Sequence, residues 1–415
     1  MTVKILCVLG QHNYGNPERG HSYEYENFLP AFRRLGHQVI FFESFSRTAY
    51  RDFADLNRRL LETIQAENPD IVLCVLLGFE IWAETFELIR KGSRAVLINW
   101  STDDSWKYEQ FSRFVAPAFH LYATTYRSAM VKSARDGQAN FVLTQWAANA
   151  DKLAEPLPAR ACRYQVSFIG SSYGNRPKWV TALKKNGVDI ACFGHGWKNG
   201  PIPSDQIPKV IRESVISLNF GDSGLVARGL IPTRSRQIKA RVFEVPGSGG
   251  FLMTEDGENL DRFYDIGNEI VVFEGVSDLV RKIAHFLGHL EERDRIAAAG
   301  HFRTRSEHTY DERFRHLLNL AQQLAANPPS SRAPGEVHKG GVDFERFGQL
   351  EKSHRPGTVL KALKWILVLP LLLLWGRRRG PRAARRLLFE LSWRMAGKKT
   401  YSVSGWPGRL FYRES

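Results

Sequence analysis

Cysteine is scarce. The chain has four in 415 residues, Cys7, Cys74, Cys162 and Cys192, each in or beside an expected strand and none at CxxC or other metal-ligand spacing. That excludes a disulfide framework and a cysteine-built metal centre, and reads as reduced core thiols of a cytosolic protein. No secretory leader is expected, since Met1 to Lys4 runs straight into an expected strand. An excess of charge is missing from most of the chain. The formal net charge is +15, yet 15 Lys and Arg against 3 acidic residues lie from Glu351 onward, leaving residues 1–350 at +3. A nearly neutral body with one basic appendage offers no general nucleic-acid surface, so no nucleic-acid partner is expected.

What is present is apolar patterning of one repeating kind, in a chain that is 43% hydrophobic. Residues 3–9 form a run that is apolar but for Lys4 and is closed by Gly10, as expected of a strand buried on both faces. Strand patterns at 38–42, 70–76, 95–99, 119–124 and 140–144 alternate with helical ones near 23–35, 52–66, 79–91 and 127–135. The stretch 151–160 lapses into a Pro-containing linker, and a second series follows with strands at 164–169, 188–193, 215–220, 251–254 and 269–273. Helices are expected near 178–185, 277–289 and 291–306, and Thr309 with Glu312 forms a capping box for one ending near 325. The expected fold class is α/β: two Rossmann-like domains, 1–155 and 160–326, facing a cleft. A flexible linker, 327–357, and a basic, apolar, membrane-associating helical segment, 358–415, follow.

That last segment opens TVLKALKWILVLPLLLLWG over 358–376, with Lys361 and Lys364 inside it and Arg377, Arg378 and Arg379 directly after. A spanning helix needs about 20 apolar residues, so the run is marginal. Basic residues flank it on both sides, which gives no orientation for a single pass, and Pro370 is expected to kink it. A re-entrant or interfacial anchor on an anionic cytoplasmic membrane surface is the favoured expectation. A helix docked on the protein and a plain span are the alternatives.

The other distinctive stretch, 239–255, reads KARVFEVPGSGGFLMTE. Ile238, Val242 and Val245 recur at helical spacing, which sets Arg241 and Glu244 together on one flank. Gly249 and Gly250 allow close approach of backbone to a ligand. A base, a carboxylate and a bare turn suit a nucleotide; a helix–turn–strand corner with a surface ion pair is the alternative. On the first domain, Asp103 and Asp104 follow the strand ending at Asn99, where ligands bind in such sheets, and adjacent carboxylates can raise one pKa. Helix capping is the alternative for both. His12 and His21, after the first strand, are rival proton acceptors or plain loop residues.

The segment from about 165 to 309 resembles the second domain of the CgeB-like glycosyltransferases. The matching residues are Val166 to Ser171 with Arg176 after them, Phe193-Gly194-His195-Gly196-Trp197, Lys239-x-Arg241-x-Phe243-Glu244-x-Pro246 leading to Gly249-Gly250-Phe251-Leu252, Gly267-x-Glu269-Ile270-Val271, and Glu307 to Tyr310. Earlier in the chain the resemblance rests on Trp100 to Asp104. It implies the GT-B fold and a hexosyl or related transferase, with a nucleotide-sugar donor on the second domain and a glycan or lipid-linked acceptor on the first.

In that reading Glu244 holds the ribose. Lys239, Arg241 and Arg176 face the diphosphate with amides of Ser171, Ser172, Gly249 and Gly250, and Asp103, Asp104 or His12 supplies the base. Related enzymes have a second Glu eight residues before the first; this chain has Arg236 there. No DxD-type cluster stands out in 160–326, so neither metal nor cofactor is expected beyond the donor substrate. A nucleotide-sugar sensor or scaffold without turnover and a nucleotide-sugar epimerase are the competing functions. The expected location is the cytoplasmic face of a membrane.

Overall fold

The computed structural model describes residues 2–228, 231–326 and 341–414, with 222–235 described as backbone alone. Two compact units form, one from residues 1–144 together with 317–415, the other from 145–316.

The first unit holds six parallel strands, β1 (Lys4–Leu9), β2 (Gln38–Glu43), β3 (Ile71–Cys74), β4 (Val96–Ser101), β5 (Leu121–Thr124) and β6 (Phe141–Leu143), in the order β2-β1-β3-β4-β5-β6. Register runs without slip, with Ile5 opposite both Val39 and Ile71. Leu6, Val8, Val72, Cys74 and Leu97 face a core shared with Leu56, Leu60 and Ile64 of helix Phe53–Glu67. The order reverses between β1 and β3, so the loops after β1, β3 and β4 share the carboxyl edge where doubly wound sheets bind ligands.

The expected linker and tail behave differently from the reading above. Residues 327–340 lie outside those described, but Phe344–His354 is a helix packed on the first unit. Phe347 and His354 lie against Trp82 at ring separations of 6.0 and 4.7 Å, and Arg58 pairs with Glu351. Further on, Tyr401 and Val403 belong to the same core, the Val403 amide donates to Glu84 Oε2 at 3.0 Å, and Tyr412 packs on Phe53. A polar overall composition hides this helix, because only Phe347, Leu350 and His354, three or four apart, are buried.

Thr358–Ala396 is recorded as one helix but turns at Gly376, whose φ of 71° and ψ of 177° are not helical. The break expected at Pro370 therefore lies six residues later, and two arms fold back on each other. Val368 of the first arm and Ala384 and Leu388 of the second close a small core with Leu410 and Phe411.

The second unit has five parallel strands, β7 (Tyr164–Ile169), β8 (Ile190–Phe193), β9 (Ser214–Asn219), β12 (Leu252–Glu255) and β13 (Val271–Phe273), in the order β13-β12-β9-β7-β8. Between β9 and β12 an antiparallel hairpin, β10 (Asp222–Arg228) with β11 (Ile231–Arg236), leaves the sheet. Arg293 is fully buried and donates to the carbonyls of Ser214, Val215 and Leu157, tying a helix, the sheet and the entering chain. Of the expected capping box the Thr309 half is present, with the Glu312 amide 3.4 Å from Thr309 Oγ1, while the Glu312 carboxylate pairs with Arg315.

Candidate functional site

On the first unit the two adjacent aspartates have separate fates. Asp104 is 1% exposed. Its Oδ1 accepts from Ser101 Oγ at 2.7 Å and from Ser112 Oγ, and Ser112 in turn accepts from the Tyr122 hydroxyl at 2.9 Å. Burial pushes its carboxyl up, against the lowering pull of the Ser112, Thr124 and Ser101 hydroxyls. A carboxylate closed off in this way braces the loop after β4; reading it as a base that meets substrate is corrected here by its burial. Asp103 remains outside, with its side chain 34% exposed and 3.6 Å from Lys107 Nζ. Lys107 also lies 3.5 Å from the Leu77 carbonyl in the loop after β3.

Sequence reasoning missed Glu24. It stands in the first turn of helix Tyr23–Arg34, which follows the loop after β1. Burial raises its carboxyl, the negative charge of Asp103 raises it further, and Lys107 opposes. The signal was an acid opening the first helix of a doubly wound sheet, masked because acids are favoured in any first turn. His12 lies in the same loop, stacked on His21 at 5.1 Å, and His21 stacks on Tyr25 at 5.0 Å. The three rings form a platform fixed by Asn13, whose side-chain amide donates to the His21 carbonyl at 2.7 Å.

On the second unit Lys239, Arg241 and Glu244 follow the hairpin. Arg241 and Glu244 approach to 2.9 Å, each with its side chain 19% exposed, on the short helix Arg241–Gly247. The contact satisfies charge but not hydrogen-bond alignment: among the described residues, the buried Nη1 of Arg241 finds no hydrogen-bond partner. Lys239 donates to Gln237, which is itself buried. Arg236 closes β11 and leans on Glu255 at 3.9 Å; Glu255 is a buried carboxylate at the end of β12 that also accepts from the Gly221 amide at 2.9 Å. The carboxylate absent from position 236 in the sequence thus stands beside it in space, contributed by another strand.

The glycines do not bring amides to a ligand. Gly249 N–H donates to the Pro246 carbonyl and Gly250 N–H to that of Val245, and both residues are buried. A side chain on Gly249, whose φ is +77°, would sit 2.5 Å from the Ala154 carbonyl, so close packing on residues 154–155 requires the glycine. In the turn after β7, the Ser172 amide donates to the His195 carbonyl, and Arg176, 8% exposed, donates to the Ser171 carbonyl beneath Tyr173. Arg176 thus holds that turn.

With this geometry in view, comparison with known proteins is informative. Residues 176–319 match the model of a family described as glycosyl transferase-like. No curated protein matches the sequence. Among solved structures, a glycosyltransferase from Rickettsia africae has 13% identity and a TM-score of 0.54, covering 79% of this chain and 99% of its own. Sucrose-phosphate synthase from Thermosynechococcus elongatus has 10% identity and a TM-score of 0.54 over 78% and 99%. HepE from Anabaena, solved in complex with UDP, has 10% identity and a TM-score of 0.51 over 77% and 100%. The chain has the GT-B glycosyltransferase fold, and its residues 176–319 carry the glycosyl transferase-like family match.

Proposed function

We propose that this chain is a CgeB-like glycosyltransferase, hexosyl or related, moving a sugar from a nucleotide-diphosphate donor to a lipid-linked or cell-envelope acceptor at the cytoplasmic face of a membrane. The observation that carries the reading is Arg241, charge-paired to Glu244 at 2.9 Å on the short helix after the hairpin. A guanidinium held by one carboxylate has further N–H groups for a second anion, and a phosphate oxygen is a strong acceptor for them. Glu244, acceptor-only when ionised, suits the two ribose hydroxyls.

In the reaction the acceptor oxygen bonds to the anomeric carbon, the bond from that carbon to the diphosphate breaks, and the hydroxyl proton passes to a carboxylate. Glu24, within electrostatic reach of Asp103, forms with it the pair we assign to that proton, with Asp104 as a positioning residue. Lys239 and Arg241 offset the charge growing on the departing diphosphate, which is why a metal-independent reaction is proposed. The UDP complex of the HepE structure makes uridine diphosphate sugars the first donors to try. A thermal-shift panel of nucleotide sugars, followed by mass spectrometry of products formed with the best donor and membrane extract, tests the reading. A donor-dependent rise in Tm with a glycosylated product supports it; a panel without any shift overturns it.

A further inference from the structure

The C-terminal hairpin has two apolar faces, and the protein uses only one. On the first arm, residues 360, 364, 367, 368, 371 and 372 turn inward, towards the second arm and residues 410–411. At 100° per residue these centre on one side of the helix, and the opposite side carries Val359, Leu363, Ile366, Leu369 and Leu373. Val359 is 85% exposed, Ile366 67% and Leu373 84%. No charged side chain interrupts that outer row, which extends over the arm's roughly 27 Å at 1.5 Å per residue. The most apolar 18-residue window of this region has a mean hydropathy of 1.9 and is only 6% buried. Such a face is far more than the scattered apolar exposure of an ordinary surface.

Three observations decide what covers it. Gly376 turns the chain back, and a side chain on Gly380 would meet the Leu372 backbone at 2.6 Å, so the arms are closed against each other near the turn. Arg382, Arg385 and Arg386 follow on the returning arm, and carrying them through hydrocarbon is prohibitive for a hairpin that crosses. Arg377, Arg378, Arg379, Arg382 and Arg386 are all exposed on the same hairpin. A second copy seated on this surface would set like charges near one another, whereas anionic headgroups complement them.

We infer that the hairpin 358–396 is a monotopic membrane foot: its outer face, Val359 to Leu373, lies in the plane of an anionic bilayer at the headgroup–acyl boundary, and the arginines of the turn and second arm hold lipid phosphates. The foot is mounted firmly. Phe389 packs on Phe79 and Tyr401, Phe411 lies under the arms, and Lys364 pairs with Glu414 at 3.6 Å, so the first unit is held at a fixed height above the lipid. This rests on the membrane context proposed above, and binding is read without turnover so that each fails separately.

The test is flotation of the full chain with vesicles of phosphatidylcholine alone, or of phosphatidylcholine with a third phosphatidylglycerol. The wild type is expected to float with the anionic vesicles and to be released by carbonate. Replacing Val359, Ile366 and Leu373 together by Glu is expected to abolish flotation with Tm unchanged, because all three side chains are exposed. Replacing Arg378, Arg379, Arg382 and Arg386 by Gln is expected to weaken anionic binding by more than about tenfold, each basic group near the surface contributing about fivefold. Wild-type chain that stays in the soluble fraction with both vesicles, or resists carbonate, overturns the inference. So does a wild-type dimer in size-exclusion chromatography that the triple Glu variant converts to monomer, since that makes a second copy the occupant.

Discussion

At the carboxyl edge of the first sheet stand the acids Glu24 and Asp103, with a platform of stacked rings in the loop after β1. On the second unit the cations Lys239 and Arg241 follow the hairpin, the latter paired with Glu244. The two sheets share strand direction and helix alternation, so the fold supplies the edge and the chemistry comes from a few loop residues. In the proposed reaction the two edges take different parts: a proton must leave the acceptor, and negative charge must be received from the donor. Burial raises the Glu24 carboxyl and so favours a proton there, while the Arg241 guanidinium is charge-paired to Glu244 at 2.9 Å.

Removing the acids should break this division most severely. Glu24→Gln, or Asp103→Asn, is expected to lower kcat by about 10²–10⁴, the usual contribution of general acid–base catalysis. Steady-state rates against pH distinguish which acts. If Glu24 is the base, the acidic limb of wild-type activity lies above 4.5, its ordinary value, and Glu24→Gln removes that limb. A limb unchanged in both variants transfers the role elsewhere, with His12 next in line.

The cationic edge should respond by less. Arg241→Gln loses a charge-assisted contact to phosphate worth about 1.5–3 kcal/mol, so donor affinity by calorimetry is expected to fall roughly 10–100-fold. Glu244→Ala is expected to cost about tenfold in affinity for the nucleoside diphosphate while binding of inorganic pyrophosphate is kept. Equal loss of both ligands would show that Glu244 acts by orienting Arg241 rather than by meeting the ribose.

Much of the fold was legible because largely apolar runs such as 3–9 and 251–254 have few ways to be buried other than as central strands. The hairpin from 222 to 236 was not legible, since it pairs only with itself and carries no continuous apolar row. The helix Phe344–His354 was hidden by its polar composition, and the turn of the C-terminal helix was assigned to Pro370 when a left-handed glycine six residues on makes it. Within the candidate site, charge and order located Arg241 and Glu244, whose i, i+3 spacing brings them together locally. Residues whose role depends on tertiary packing were misjudged: Asp104 and Asp103 look alike in sequence until the sheet buries one, and Gly249 serves a close contact with residues 154–155. Glu24 was invisible for the same reason, as nothing local places it near Asp103.

The smallest expected effect concerns stability and has a defined sign. Because the folded state raises the Glu24 pKa above 4.5, chiefly by burial, the folded chain holds that proton more tightly than the unfolded one. Its contribution is therefore fully present below pH 4.5 and is lost as pH rises through the folded value, beyond which the half-buried carboxylate is a standing cost. Glu24→Gln carries no such charge. Its Tm should exceed the wild type's at neutral pH, and the gap should close as the pH falls towards and below 4.5. Asp103→Asn should narrow the gap from the other side, since it removes a charge that raises Glu24 and thereby stabilises the ionised form. A gap that grows on acidification would mean that Glu24 is held as a paired carboxylate, and would remove the physical basis for choosing it as the group that accepts the proton.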